Sequence, residues 1–532
     1  MVLIPPLVRL AERLHAADFP SERKVHTTPM PRLGGAAMAI GAVLPMIMWA
    51  SPLVQVFPLL AGIAIIVFFG VWDDISPLDY RVKFLGQFLA VAVVITFGDV
   101  VIRYLPFGGG NPLPTYIAVP LTAFVLVGIT NAINLSDGLD GLAGGVTFLS
   151  LAAIAVLTYI AVDAGFMLLA TMSIMGSILG FLRFNTFPAR IFMGDGGSQF
   201  LGFSAGVLAT LLTQSTNTAL SPALPLLILG LPILDTLMVM GERIYEGRSP
   251  FVADRKHIHH RLLALGFHHY EAVVTIYALQ SLLIVASYFL RFESDALIVS
   301  LYVLFCLAIV GFLKLVPQTG WHLHRATEEA RSPVVPAWVQ WWRRDQRLLK
   351  AAFYSAMIGI PLFLLVGALF VASVPSDIGA CATVLLVVLL ALYVRYRHQP
   401  FSIVEKASAY VAGVFIVYLV QIKPGALAGL TLYYGILFAI LTVAVAIGFR
   451  VGTERFRTTP MDYLVIFVAL VLPNLPEVDL RVEHKSLAVA MIIVLFYSIE
   501  LVLNNIWRRW DIMRFTTYLT LALLGIRGVT GL

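Results

Sequence analysis

Apolar runs of about 20 residues, long enough to cross roughly 30 Å of hydrocarbon, recur from one end of the chain to the other between short polar joints. In lipid, every backbone N–H and C=O must be satisfied internally. That leaves helices or closed barrels, and barrel strands alternate rather than run continuously apolar. The composition agrees: of 532 residues, 59% are hydrophobic and 12% charged, with a mean hydropathy of +0.90, where soluble domains carry about 25% charged residues. The fold expected is an all-α polytopic membrane protein.

Ten spans are expected in the first part, near 35–51, 57–72, 84–97, 117–133, 143–162, 166–182, 200–212, 222–240, 272–290 and 296–316, with about seven more after residue 351. The longest charged interruption lies between them, with Ser332, Pro333 and Pro336. The expected organisation is a membrane core over 1–316, a cytoplasmic linker over 317–350 and a C-terminal multi-span module over 351–532. In the linker, Trp321, Trp338, Trp341 and Trp342 with Arg343, Arg344 and Arg347 suit a segment at headgroup level. Residues 1–17 carry Arg9, Glu12 and Arg13 in a short apolar stretch, which reads as an interfacial helix rather than a cleavable signal peptide.

Counting alternately from a cytoplasmic segment before Gly35 puts Arg23, Lys24, Arg32, Arg81, Lys83, Arg183, Arg190, Arg243, Arg248, Lys256 and Arg261 on the cytoplasmic side. Arg103 and Arg291 are the main entries opposite, as the positive-inside rule requires. The net charge of +6 is explained in this way and does not call for nucleic acid. Cys306 and Cys381 lie in apolar runs without a C-x-x-C partner and read as buried small hydrophobes.

The polar residues of the first part gather in the joints assigned to one face. Lys24 and Thr28 lie in a basic turn before Gly34 and Gly35, a phosphate cradle or a mere topology signal. Asp73 and Asp74 end a span, with Lys83 and Gln87 beyond. Adjacent carboxylates at a membrane boundary need a cation, and Mg²⁺ with phosphate would supply it. Asn131, Asn134 and Asp137 recur every three residues on one helix face, and Asp140 follows a glycine turn. These offer acceptors for Mg²⁺ or for a base and ribose. Asn185 and Phe192-Met-Gly-Asp195-Gly-Gly-Ser198 lead into another span, where helix N–H groups can receive phosphate while Asp195 holds a metal. Phe192 suits stacking on a nucleobase or anchoring at the interface. The run Asp254 to Arg261 carries His257, His259 and His260. Its flanking cations favour a sugar diphosphate over zinc, an inert basic loop being the plain alternative. Asp235, deep in a span, reads as functional or paired.

In this order, these motifs resemble the polyprenyl-phosphate N-acetylhexosamine-1-phosphate transferase family (glycosyltransferase family 4) over about 18–316. The resemblance implies that Asp73 and Asp74 lie near a lipid phosphate and that Asp195 binds Mg²⁺, with Mn²⁺ as a substitute. It places Asn134, Asp137 and Asp140 in the nucleotide and metal neighbourhood, Phe192 on uracil, and Lys24 and Thr28 in a substrate-contacting loop. His257-x-His259-His260 is similar to the form found in GlcNAc-1-phosphate transferases. The partners implied are a UDP-N-acetylhexosamine, a polyprenyl phosphate and membrane lipid, and a homodimer is carried as an assembly option. The implied site is on the cytoplasmic face of a bacterial-type inner membrane, where a cell-envelope glycan begins. Direct attack and a two-step route through a phosphorylated aspartate both stay open. The extension after Lys350 lies outside the family core. The rival class, a lipid-linked saccharide flippase, would need ionisable residues at mid-membrane.

Overall fold

Nine of the ten expected spans of the first part fall on single helices. The computed structural model describes residues 3–14, 16–18, 30–50, 55–161, 165–216, 219–249, 256–324, 347–395, 403–422, 429, 431–451, 463–464, 466–467, 485–503 and 510–531. The chain divides into two compact units, Met1–Ala330 with Thr459–Val465, and Arg331–Thr458 with Ile466–Leu532. Eleven helices are long and apolar enough to cross a membrane among the described residues. The protein is a multi-pass integral membrane protein.

In the first unit the order is α1 (Ile4–Arg13), β1 (Ala17–Asp18), β2 (Met30–Pro31), α2 (Gly34–Trp49), α3 (Phe57–Ile75), α4 (Tyr80–Gly98), α5 (Thr115–Leu135), α6 (Leu142–Ile160), α7 (Gly165–Asn185), α8 (Gly194–Leu211), α9 (Pro225–Ile228), α10 (Gly230–Tyr245), α11 (Ile258–Ala264), α12 (His269–Phe289) and α13 (Asp295–Leu315). The two short strands pair antiparallel, Ala17 opposite Pro31. The α8 helix is the axis: nearly every residue from Gly196 to Leu211 is buried, and α2, α3 and α5 pack on it. Two glycine pairs let the backbones touch. A Cβ at Gly35 would lie 2.1 Å from Gly197 N, and one at Gly70 would lie 2.4 Å from Gly196 Cα. The ends of α3, α5 and α7 and the starts of α2, α4, α6 and α8 consequently share one end of the bundle.

The run at 222–240 is not one span. Pro232 has no N–H to give to Ile228, and the helix breaks at Leu229 (φ −110°, ψ 20°). The freed groups are satisfied by neighbours, as they must be in an apolar interior. Ile228 O accepts from Ser150 Oγ at 2.7 Å and Gln280 Nε2 at 2.8 Å, and Gly230 O accepts from Tyr302 Oη at 2.8 Å.

The second unit contains α14 (Arg347–Phe370), α15 (Ser376–Arg395), α16 (Ile403–Ile422), α17 (Thr431–Val451), α18 (Lys485–Leu503) and α19 (Trp510–Thr530). Its core gathers Phe353, Phe363, Ile416, Leu441, Leu495 and Leu524. Six long helices stand here among the described residues, and most of 452–484, where a further span was expected, lies outside them. The greater part of the Trp- and Arg-rich linker does too.

Both cysteines are free, but Cys306 is half-buried and Cys381 exposed, not buried as expected. In a membrane protein the apolar faces that meet lipid are as hydrophobic as the interior, and an apolar run does not by itself mean burial.

Candidate active site

Asp73 and Asp74 occupy the last turn of α3, and their carboxylates go opposite ways. Asp73 Oδ1 accepts from Leu78 N at 2.7 Å, while its Oδ2 lies 2.7 Å from Lys83 Nζ. The same ammonium lies 2.9 Å from Asp195 Oδ2. One cation from α4 thus joins two carboxylates 122 positions apart in sequence. Asp74 turns instead into the start of α8, where Oδ1 accepts from Asp195 N at 2.8 Å and Oδ2 from Gly196 N at 3.1 Å. The start of α8 is therefore capped from α3. Gly194 (φ +68°) admits this approach, since a Cβ there would lie 2.3 Å from Asp74 Oδ2.

This changes one expectation. The sequence reads the first N–H groups of α8 as a phosphate receptor, but those of Asp195 and Gly196 already donate to the buried side chain of Asp74.

Around the capped helix the loops are cross-tied. Asn185 accepts from Gly141 N at 3.0 Å and donates to Ile191 O at 2.9 Å, so one amide fixes the glycine turn to the segment preceding Asp195. Asp140 Oδ2 accepts from Ala189 N at 2.9 Å, and Tyr277 donates to Gly141 O at 2.7 Å. Phe192, half-buried, donates its N–H to Pro31 O and accepts from Gly34 N. Arg32, next to that contact, is ion-paired with Asp18. Asn131 points its amide between helices, with Nδ2 at 2.8 Å from both Gln87 Oε1 and Val127 O, and Gln87 in turn donates to Gln199 Oε1 at 3.0 Å. Asn134 and Asp137 stand half-buried at the end of α5 and in the turn after it.

Asp137 titrates high, pushed up to about 7 by burial first and then by the charges of Asp195 and Asp140, with Arg32 opposing. Five carboxylates (Asp73, Asp74, Asp137, Asp140, Asp195) thus meet Lys83 and Arg32 as nearby cations, and the local charge is negative.

The histidine run joins this wall. Asp235 Oδ2 lies 2.8 Å from His257 Nδ1, and Oδ1 accepts from Ile258 N at 2.7 Å, so the acid in the span orients the first histidine and starts α11. His259 is buried against the glycine turn: a Cβ on Gly138 would lie 2.1 Å from its Nε2. That nitrogen has no hydrogen-bond partner among the described residues. Burial, then His260, pushes His259 down to about 3, so the ring is neutral. The His260 ring lies tilted against it, with centroids 4.2 Å apart. Arg261 donates Nε to Lys256 O at 2.7 Å and pairs with Glu242. Lys24 and Thr28 lie outside the described residues.

Helical packing and this carboxylate-rich end define a multi-pass membrane protein with a candidate site at one end of its bundle. A family model described as glycosyl transferase family 4 matches residues 56–213. The chain is 38% identical to a probable undecaprenyl-phosphate N-acetylglucosaminyl 1-phosphate transferase of Bacillus subtilis, over 60% of this chain and 88% of that protein. It is 38% identical to a decaprenyl-phosphate N-acetylglucosaminephosphotransferase of Mycobacterium leprae, over 50% of this chain and 75% of the relative. An undecaprenyl-phosphate alpha-N-acetylglucosaminyl 1-phosphate transferase of Escherichia coli K12 is 30% identical over 50% of this chain and 74% of its own length. The chain belongs to glycosyl transferase family 4.

Proposed function

We propose that this protein transfers an N-acetylhexosamine 1-phosphate, GlcNAc 1-phosphate first among them, from a UDP-sugar to a polyprenyl phosphate at the cytoplasmic face of the inner membrane. The products are a polyprenyl-diphospho-sugar and UMP. The observation that carries the reading is the Asp73–Lys83–Asp195 bridge at one end of the bundle, in a chain whose relatives bear that activity in their names. A phosphate on a membrane-embedded chain reaches this end of the bundle without leaving the bilayer.

In the direct route a polyprenyl-phosphate oxygen attacks the sugar-bearing phosphorus, a new P–O bond forms, and the bond to the UMP oxygen breaks. Lys83 supplies positive charge between the two carboxylates, and Asp73 orients the lipid phosphate or takes its proton. Asp74 keeps Asp195 in place through the backbone. The excess of carboxylates over cations, and the raised Asp137, fit a hard divalent cation with oxygen ligands. Asp195 and Asp137 would hold Mg²⁺, or Mn²⁺ in its place. When bound, Mg²⁺ neutralises the diphosphate and charge passing to UMP. The neutral His259, with its partnerless Nε2, and His260 suit hydrogen bonding to a sugar diphosphate beside Arg261. Asn134, Asp140 and Phe192 are assigned to the nucleoside.

The purified protein, incubated with undecaprenyl phosphate and a panel of UDP-sugars, should release UMP and yield a lipid product heavier by one N-acetylhexosamine phosphate. If no UDP-N-acetylhexosamine gives such a product, the reading fails.

A further inference from the structure

A second group of metal-binding side chains stands apart from the carboxylate end just described. His268 and Glu271, at the start of α12, meet His324, which follows α13. One ligand atom from each lies within 4.8 Å of the others. His324 Nε2 is 3.0 Å from both Glu271 carboxylate oxygens. The His268 ring stacks on that of His324 with centroids 4.4 Å apart. The three side chains come from two segments more than 50 positions apart, and their backbones are hydrogen-bonded in place. Leu323 N donates to Leu265 O at 2.9 Å, His268 N donates to Glu271 Oε2 at 2.8 Å, and a Cβ on Gly266 (φ +85°) would lie 2.8 Å from His324 O.

We infer that His268, Glu271 and His324 form a binding site for a zinc-class divalent metal ion. Tetrahedral ligands at about 2.0–2.1 Å from zinc lie about 3.3 Å from one another. The His324 and Glu271 atoms are near that spacing already, and a His268 ring nitrogen lies within 4.8 Å of them. Two imidazoles and one carboxylate select zinc, cobalt, nickel or copper over magnesium or calcium. Glu271 also offsets the positive end of α12, which would otherwise repel a cation. His268 is exposed and half-buried partners line the other side, leaving room for water as the fourth ligand. The ion takes the place of the direct contact between His324 Nε2 and the Glu271 carboxylate. It pins the segment leaving α13 to the α11–α12 turn, the base of the histidine run. The inference rests on these three side chains alone and stands or falls independently of the transferase reading.

The test uses the full chain, free of any histidine tag, stripped of metal and titrated with Zn²⁺ by calorimetry and with Co²⁺ by visible absorption. With excess Mg²⁺ present to occupy the carboxylate end, one equivalent should bind tightly, and Co²⁺ should show the intense ligand-field bands of a tetrahedral site. Glu271→Gln and His324→Ala should each weaken binding at least tenfold, while His322→Ala and His257→Ala leave it unchanged. His324→Cys should gain a thiolate-to-cobalt charge-transfer band that the wild-type chain, with Cys306 and Cys381, lacks. This is a gain of signal that a misfolded chain does not give. Wild-type affinity in folded Glu271→Gln and His324→Ala, or no new band in folded His324→Cys, would overturn the site. So would equal loss in His257→Ala, which would place the metal at the histidine run.

Discussion

The neighbouring aspartates of α3 should separate into two phenotypes. Asp74 is buried and receives two backbone N–H groups from the first turn of α8. In Asp74→Ala both donors lose their acceptor in a buried site. A buried donor left without a partner costs about 1–3 kcal/mol, so the pair costs about 2–4 kcal/mol after partial relaxation. Asp74→Asn keeps one acceptor but sets an amide N–H₂ against a backbone N–H, and should cost about half as much. Because the same bonds hold the backbone of Asp195, some of this energy is lost from its placement. A share of about 2 kcal/mol slows turnover about 30-fold. Asp73 differs: apart from Leu78 N, its partners are the side chains of Lys83 and Asp195. Asp73→Asn should leave the unfolding temperature within about a degree, since one partly exposed ion pair contributes about 1 kcal/mol, and yet remove nearly all turnover. Thermal unfolding in detergent, followed by tryptophan fluorescence, and UMP release give the two axes. Asp74→Ala with wild-type stability and turnover, or Asp73→Asn that unfolds several degrees early, would refute the division of labour.

Lys83→Met leaves Asp73 and Asp195 facing each other without their shared cation. Turnover should fall at least 100-fold while the Mg²⁺ concentration for half-activation drops, read from metal titrations of UMP release. Asp137 has its proton affinity raised to about 7, so below that pH a cation must displace a proton from it. The apparent Mg²⁺ affinity should rise up to about tenfold per pH unit as pH approaches 7 and level off above it, and Asp137→Asn should flatten the profile. Gly138→Ala puts a methyl 2.1 Å from His259 Nε2, and the displaced imidazole should raise KM for the UDP-sugar more than it lowers kcat. Gly35→Ala sets a Cβ 2.1 Å from the α8 backbone, where neither helix can yield. The variant should be recovered in low yield, measured by size exclusion.

The helices were legible because lipid demands continuous apolar runs, and only the 222–240 run misled, since a proline inside an apolar stretch has the same hydropathy whether or not its neighbours absorb the freed carbonyl. The positions of chemistry were legible as clusters, but not their division. Asp73 and Asp74 are identical in type and adjacent, and only the packing of α3 on α8 separates ligand-facing from capping. The partner of Asp235 is His257, which no spacing rule links to it across two helices. Gln199 and Arg32 were missed for the same reason, as single polar residues beside louder motifs. In the second unit, Glu405 and Lys406 are scattered from their partners in sequence. In space Glu405 meets Arg514 at 2.6 Å and Tyr518 at 2.9 Å, and Lys406 pairs with Glu500. The pairing cancels charge that a linear reading counts as isolated.

The carboxylate on the start of α8 also has a pharmacological consequence. A helix start, with its free N–H groups, is a ready-made attraction for phosphate mimics. Here the first N–H groups of that end are already taken from within by Asp74, so an acidic surrogate finds those donors occupied and must draw its affinity from Lys83, Arg261 or a metal it brings along. Compounds with an uncharged, oxygen-chelating head and a long apolar tail therefore match this end of the bundle better than faithful copies of the diphosphate.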